Sequence, residues 1–408
     1  MPARYAGPGS MLKKTSLLLR EAGFTGPGLL VDEAQARRNI ATMAAKARAA
    51  GVRFRPHFKT HQSPEVGRWF ADEGVTAITV SSLEMARHFA DHGWRDITLA
   101  LLVNPLQWPA IKRLALSLDA RGGRLGILLD SPAVARQLRK EFPCPLDIWL
   151  KVDTGYGRTG VAWDDRDTLR RLLAALEPAG DIRGLLTHSG HAYGAATAAG
   201  RRRIWHRTLE RMTAAREVLV QGEDRDRKPV RDLESCRDLK ICQNLEISVG
   251  DTPCCATMER LDGPDEVRPG NFVFFDLMQW RQGVCRAREL ACGLVCPIIG
   301  IYPRSHRLVI HGGAVHLSRE SLATGSGDPV FGYAGRLDGN RQVLEDAPVT
   351  SLSQEHGVLQ IAPRLFPALT ADLDVGDLLL IWPVHSCLSC NLMADYRSLA
   401  GAPIAKFP

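Results

Sequence analysis

The chain of 408 residues contains no apolar run approaching the ~20 residues that cross a bilayer, so no spanning helix is expected. Its first stretch, MPARYAGPGSMLKKTSLLLREAG, has a basic pair and then only a short apolar segment that stops at Arg20. A secretory core needs about 7–15 apolar residues, so no signal peptide is expected and the cytoplasm is the expected location. Cysteine is sparse as well. Ten irregularly spaced cysteines do not make a disulfide scaffold, and in a reducing compartment most serve as small buried hydrophobes. A single C-x-x-C occurs, Cys387–Cys390, and no second one completes a four-cysteine site. An excess of one charge is also lacking. Lys and Arg number 52 against 45 Asp and Glu, a net charge of +7 without a basic stripe interleaved with aromatics. Nucleic acid is therefore not an expected partner, whereas an anionic small substrate is compatible with the sign.

What is present is an ordinary globular composition, 45% hydrophobic and 24% charged, in a chain long enough for a large domain and a smaller one. Short apolar runs fall at Gly28–Val31, Val52–Arg55, Ala77–Val80, Ile97–Leu101, Leu125–Leu129, Leu146–Val152, Ile182–Leu186 and Leu245–Val249. Helical patterns such as Glu33–Ala50, Leu83–His92 and Thr168–Leu176 lie between them. Eight strands joined by helices predict an α/β fold with a parallel (β/α)8 barrel of TIM type over residues 25–250, in preference to an open sheet. The densely charged Gln221–Asp238 reads as a solvated insertion before the last strand. Beyond Asn244 helical periodicity fades, and runs such as Asn271–Asp276, Leu294–Tyr302, Leu308–His311, Val358–Ile361 and Leu378–Pro383 read as strands. Residues 1–24 and 251–408 are thus expected to form a mainly β second domain.

The most informative segment is Arg53-Phe-Arg-Pro-His-Phe-Lys-Thr-His61. Arg53, Arg55, His57, Lys59 and His61 fall at every second position, which in a strand puts all five on one face. On a generic sequence this is a solvated edge strand. In the second strand of a parallel barrel both faces are covered, and five basic groups there need an anion, for which a phosphorylated cofactor serves. Cationic neighbours and partial desolvation are also expected to lower the Lys59 pKa, giving an amine that can form a Schiff base with an aldehyde and later remove a proton.

Other segments admit two readings each. Gly155-Tyr-Gly157-Arg-Thr-Gly160 fits the dinucleotide pattern G-x-G-x-x-G, but bulky Tyr156 and Arg158 stand where pyrophosphate needs close backbone approach. Ser248-Val-Gly250-Asp251-Thr252 ends the last strand candidate, where barrels commonly bind phosphate; the plainer reading is a helix cap by Asp251 or Thr252. His188, His191 and Tyr193 follow the seventh strand candidate, on the side where barrel chemistry occurs. His385 and Cys387, at i and i+2, would point the same way on a strand and suit zinc; the rival reading pairs Cys387 with Cys390.

The run RPHFKTH followed by Ser-Pro-Glu resembles the cofactor-lysine motif of the D-threonine aldolase and D-serine dehydratase family, which shares the alanine racemase (fold type III) architecture. The resemblance covers nearly the whole chain in order: Thr25–Asp32, Asp153–Gly160, Thr187–Tyr193, Ser248–Pro253, Glu266–Gly270 and Pro383–Cys387. It implies pyridoxal 5′-phosphate as cofactor on Lys59, and Arg158 beside the cofactor's phenolate oxygen. His188, Tyr193, Ser248, Gly250, Asp251 and Thr252 are the further expected cofactor contacts. His385 and Cys387 are implied as ligands of a divalent metal, zinc before manganese or magnesium. Cysteine as the second ligand is typical of the D-serine dehydratase-like branch, and a carboxylate of the aldolases. The implied reaction is metal-assisted dehydration of a D-3-hydroxy amino acid, D-serine or D-3-hydroxyaspartate, to a keto acid and ammonia. The alternatives are retro-aldol cleavage to glycine and an aldehyde, a racemase, for which no second base is identified, and a non-catalytic carrier of the cofactor. A homodimer is expected by analogy with the family.

Overall fold

The structure is a computed structural model, and it describes residues 8–141, 145–176, 181–220, 245–323, 327–337 and 343–407. The charged stretch Gln221–Asp238 lies outside the described residues. No described helix is long and apolar enough to cross a membrane.

The chain divides into two compact units. The unit of residues 42–59 and 71–270 carries the parallel barrel. Its strands run, in hydrogen-bonded order, Arg53–Phe54, Glu266–Val267, Glu246–Val249, Asp181–Leu186, Leu146–Asp153, Arg124–Leu129, Asp96–Leu102 and Ala77–Val80. Closure of the ring comes from His57, which bridges Thr79 in parallel, with Phe58 N donating to Thr79 O and Thr79 N to Pro56 O. Most positions of these strands are buried on both faces, as a parallel sheet favours. Ala77–Val80 is buried at every position, and Leu128, Trp149 and Leu186 pack together as a core layer.

The unit of residues 1–41, 60–70 and 271–408 is built on an eight-stranded sheet, almost all of it antiparallel. Its centre is Cys292–Tyr302 against Leu378–Pro383, in register Leu294 with Ile381, and the latter strand is buried throughout. The outer strand Arg307–His311 pairs with His356–Gln360 and also returns to Cys292–Tyr302.

Several sequence expectations are corrected. Gly28–Val31 is not a barrel strand. It lies antiparallel to Cys292–Val295 and parallel to Tyr396–Ser398 in the second sheet, and Glu266–Val267 supplies the eighth barrel strand. Four consecutive buried apolar residues suit either sheet, so burial alone could not place them. Asn271–Val273 is a 3-10 turn, and Asp276 caps the short helix Leu277–Arg281 by accepting from Gln279 N. Nor is His385-Ser-Cys387 a strand: His385 is the residue before the helix Ser386–Leu392.

Candidate active site

The basic segment after Val52 does not present five cations to one anion. Only Arg53–Phe54 is a regular strand, and the chain turns after His57. Arg53 and Arg55 find their anions inside the protein. Arg55 Nε lies 2.6 Å from Glu266 Oε2 and its Nη1 2.5 Å from Asp96 Oδ1, while Arg53 bonds Glu266 at 2.7 Å and also Glu246. Glu266 is wholly buried, which by itself pushes its carboxyl up. The guanidiniums of Arg55 and then Arg53 outweigh that and hold it at about 2. His61 is buried too. Its Nδ1 accepts from Ser63 N at 3.1 Å, its ring stacks on Phe70, and burial brings its pKa down to about 3, so it is a neutral core histidine.

From Glu266 a polar relay runs toward the strand ends. Ser248 Oγ donates to Glu266 at 2.7 Å and accepts from Arg268 Nε at 2.7 Å, and Arg268 also donates to Thr187 O. Burial lowers the Arg268 pKa to about 10. Ser248 is therefore a holder of Arg268, with its one hydroxyl proton given to Glu266. Gly250, two residues on, meets Arg268 so closely that a Cβ would fall 2.9 Å from its Cβ and carbonyl oxygen. Any side chain there would push the strand end away.

At this end the structure gathers several of the expected residues. His188 Nδ1 lies 2.6 Å from Gly250 O, so the ring must carry its proton on Nδ1 and leave the Nε2 lone pair outward. Burial and then the charge of Lys59 bring the His188 pKa down to about 3, so Lys59 lies within electrostatic reach of the Gly250 turn. Lys59 is exposed, not partly desolvated as the sequence predicts, and its backbone N donates to His57 Nδ1. Thr252 N faces Tyr193 Oη at 3.5 Å, and the rings of His188 and Tyr193 are 6.3 Å apart. Asp251 caps its own helix, accepting from Cys254 N at 2.6 Å, and burial raises its carboxyl to about 6. Of the two candidate caps, it is the aspartate.

The Gly155–Gly160 loop settles the dinucleotide alternative. Asp153 accepts from the backbone N of Gly155, Tyr156 and Gly157, so the amides that would cradle a pyrophosphate are already filled by a carboxylate. Gly160 is required by both conformation and space: its φ is +110°, and a Cβ would fall 2.7 Å from Asp153 N. Arg158 leaves this loop exposed, its guanidinium 5.3 Å from the Tyr156 ring centre. His191 lies beside the same ring, its pKa lowered by burial and then by Arg211.

Lys151 is a site residue that the sequence reading missed. It is buried on the strand Leu146–Asp153, and burial, then Arg268, then Arg158, bring its pKa down to about 7. A lysine following the apolar Ile148-Trp-Leu150 in the strand candidate Leu146–Val152 was the available signal. Arg158 and Arg268 thus act on both Lys151 and His188, and Lys59 acts on His188, which gathers these basic groups at the strand ends. With Asp153 engaged by amides, this set fits a dianionic phosphate carrying an aldehyde.

In the other unit, Cys387 Sγ receives two neighbours: Thr60 Oγ1 at 3.2 Å and Asn271 Nδ2 at 3.6 Å. Burial opposes charge on His385, but a hydrogen bond to Cys387 outweighs it and raises the imidazole to about 9. Asp276 Oδ2 accepts from Asn271 at 2.7 Å and from Ser386 N at 3.0 Å, which pins the turn carrying the pair. A contacting imidazole and thiol, half-buried on a pinned turn, fit two ligands of a soft or borderline divalent ion. Cys390 is buried and reads as a core residue.

Comparison with known proteins agrees with this architecture. Residues 31–277 match the family described as alanine racemase, N-terminal domain, and residues 291–398 match a serine dehydratase domain family. D-threo-3-hydroxyaspartate dehydratase of Delftia sp. is 31% identical over 92% of this chain and 94% of its own. D-serine dehydratase of Dictyostelium discoideum is 27% identical over 91% and 92%. The solved structure of the Delftia enzyme superposes with a TM-score of 0.81 at 29% identity, covering 95% of this chain and 98% of that one. A cysteine-to-alanine variant of D-threo-3-hydroxyaspartate dehydratase is also solved, in its metal-free form. This family implies pyridoxal phosphate and a metal ion. The chain belongs to the D-serine dehydratase family of lyases with the alanine racemase fold.

Proposed function

We propose that this chain is a dehydratase of D-3-hydroxy amino acids, taking D-serine or D-threo-3-hydroxyaspartate to a keto acid and ammonia. The observation that carries this reading is the cation group around Lys59, His188 and Gly250 at the ends of the barrel strands. Lys59 would hold pyridoxal phosphate. Backbone groups of Gly250 and Thr252 with Tyr193 would face the phosphate, and Arg158 the phenolate oxygen. When bound, this cofactor supplies an electron sink for a carbanion at the substrate's Cα.

The chain's own groups do the rest. The Lys59 amine takes the Cα proton. Neutral His188, fixed by Gly250, offers an acceptor at Nε2 rather than another positive charge. Ser248, anchored on Glu266, positions Arg268. His385 and Cys387 would hold the metal, for which thiolate plus imidazole favours zinc, and whose role is Lewis acid toward the substrate's 3-hydroxyl. Loss of the Cα proton and of that hydroxyl as water leaves an enamine, which hydrolyses to the keto acid and ammonia. Cysteine in the second ligand position supports dehydration over aldol cleavage.

The test is a product assay on D-serine, D-threo-3-hydroxyaspartate and D-threonine. Pyruvate or oxaloacetate with one ammonia per turnover is the expected result. Glycine plus acetaldehyde from D-threonine, or an L-enantiomer from any of them, without keto acid, would overturn the reading.

A further inference from the structure

We propose a second metal site, formed by His311, His316 and Glu355, that takes a borderline divalent transition ion such as Zn2+, Ni2+ or Co2+. One ligand atom from each residue lies within 4.8 Å of the other two. His311 Nε2 is 3.6 Å and His316 Nε2 3.9 Å from Glu355 Oε2, and the two rings stand at 90°. Tetrahedral ligands at about 2.0–2.1 Å from an ion are roughly 3.3–3.5 Å apart, so closing the site takes shifts of tenths of an ångström to about one. His311 and Glu355 are 43% and 46% exposed, which leaves them able to move and an ion able to reach them.

The three residues are mounted on one laced piece of backbone. His311 ends its strand and His316 sits in the short helix Ala314–Leu317. The turn between them is tied to the segment before the strand His356–Gln360: Gly312 N donates to Glu355 O, Ala314 N to Ser353 O and Val315 N to Gln354 O. Gly313 approaches so closely that a Cβ would fall 2.3 Å from Gln354 O. Such lacing fixes the approach of two imidazoles to one carboxylate before any ion arrives. Among the described residues no lysine or arginine pairs with Glu355; its Oε2 faces the two imidazoles, while Gln354 Nε2 donates to its Oε1 at 3.4 Å. Two nitrogen donors and one carboxylate select a transition ion over Mg2+ or Ca2+.

One feature limits the affinity and marks the binding. Gly313 N donates to His316 Nδ1 at 3.1 Å, so the neutral ring keeps its proton on Nε2, facing Glu355. An ion at Nε2 moves that proton to Nδ1 and releases the Gly313 amide. Binding therefore exchanges one hydrogen bond for one coordinate bond, and this site is weaker than a triad already in the right tautomer.

The experiment titrates Co2+ into the full-length H385A/C387A chain, which lacks the ligands assigned above. One Co2+ per chain, a visible ligand-field band without sulfur-to-cobalt charge transfer, and loss of both on adding H311A are expected. No uptake at millimolar Co2+, or uptake that survives H311A, overturns the proposal. Should H385A/C387A fail to fold, E355Q in the otherwise unaltered chain decides it. Stoichiometry is then expected to fall from two to one, and an unchanged stoichiometry overturns the site.

Discussion

The hydroxyl of Thr60 lies 3.2 Å from the sulfur of Cys387, a residue 327 positions away, and Thr60 directly follows Lys59, the lysine proposed to carry the cofactor. A hydroxyl aimed at a thiolate stabilises its charge and fixes its direction. Loss of such an outer partner typically weakens metal binding 10–100-fold. Thr60→Val, which keeps the shape, is expected to raise the Kd for Zn2+ about tenfold in competition with a chromophoric chelator. It should also shift the sulfur-to-cobalt band of the Co2+ form. An unmoved Kd and band would show that the contact is packing only.

Glu266 offers a stability prediction. It is wholly buried between Arg55 and Arg53 and also holds Ser248. Glu266→Gln leaves a buried guanidinium at Arg55 with only Asp96 to balance it. Breaking a buried pair in this way costs about 3–5 kcal/mol, read as a drop in urea midpoint. The folded carboxyl, at about 2, sits below its unfolded value of 4.5. Its contribution is therefore present above pH 4.5 and lost as pH falls toward 2.

The His188 ring is expected to stay neutral through the working range. Its folded pKa of about 3 is below the unfolded 6.5, so unfolding takes up a proton between those values and stability falls as pH drops from 6.5 toward 3. Nitrogen-detected NMR at pH 5.5 should show the Nδ1-protonated tautomer. A ring titrating near pH 6.5 would contradict the burial and the cations that hold it neutral, and an Nε2-protonated tautomer would contradict the bond to Gly250 O.

Lys151 gives a dependence of the same sign in a higher window. Its folded pKa of about 7 is below the unfolded 10.5, so the folded state sheds its proton first and stability rises with pH from 7 to 10.5. Lys151→Met is expected to flatten that rise in pH-dependent urea melts. A wild-type slope in the variant would mean that another group is responsible.

How much of this the sequence carried depended on what each signal could see. The alternation of apolar runs and helices gave seven of the barrel strands, because buried parallel strands are continuous apolar runs. Gly28–Val31 was misplaced since four buried residues carry no mark of which sheet they join. The even spacing of Arg53 through His61 was real, but for Arg53 and Arg55 its explanation lay with Glu266, Asp96 and Glu246, acids that only the folded chain brings near. The contact of His385 with Cys387 was anticipated from spacing on a strand; the structure delivers it at a helix start instead. Thr60 and Asn271 had no signal at all, since a partner of a sulfur hundreds of residues away leaves no local pattern.

The central claim is that Lys59 carries the cofactor, and trapping tests it most directly. Protein purified with pyridoxal phosphate is reduced with borohydride, digested and mapped by mass spectrometry. The account predicts a phosphopyridoxyl group on Lys59, with loss of the visible band and of keto-acid formation in Lys59→Ala. A label on Lys151 or another lysine, or a band that persists in Lys59→Ala, would contradict it.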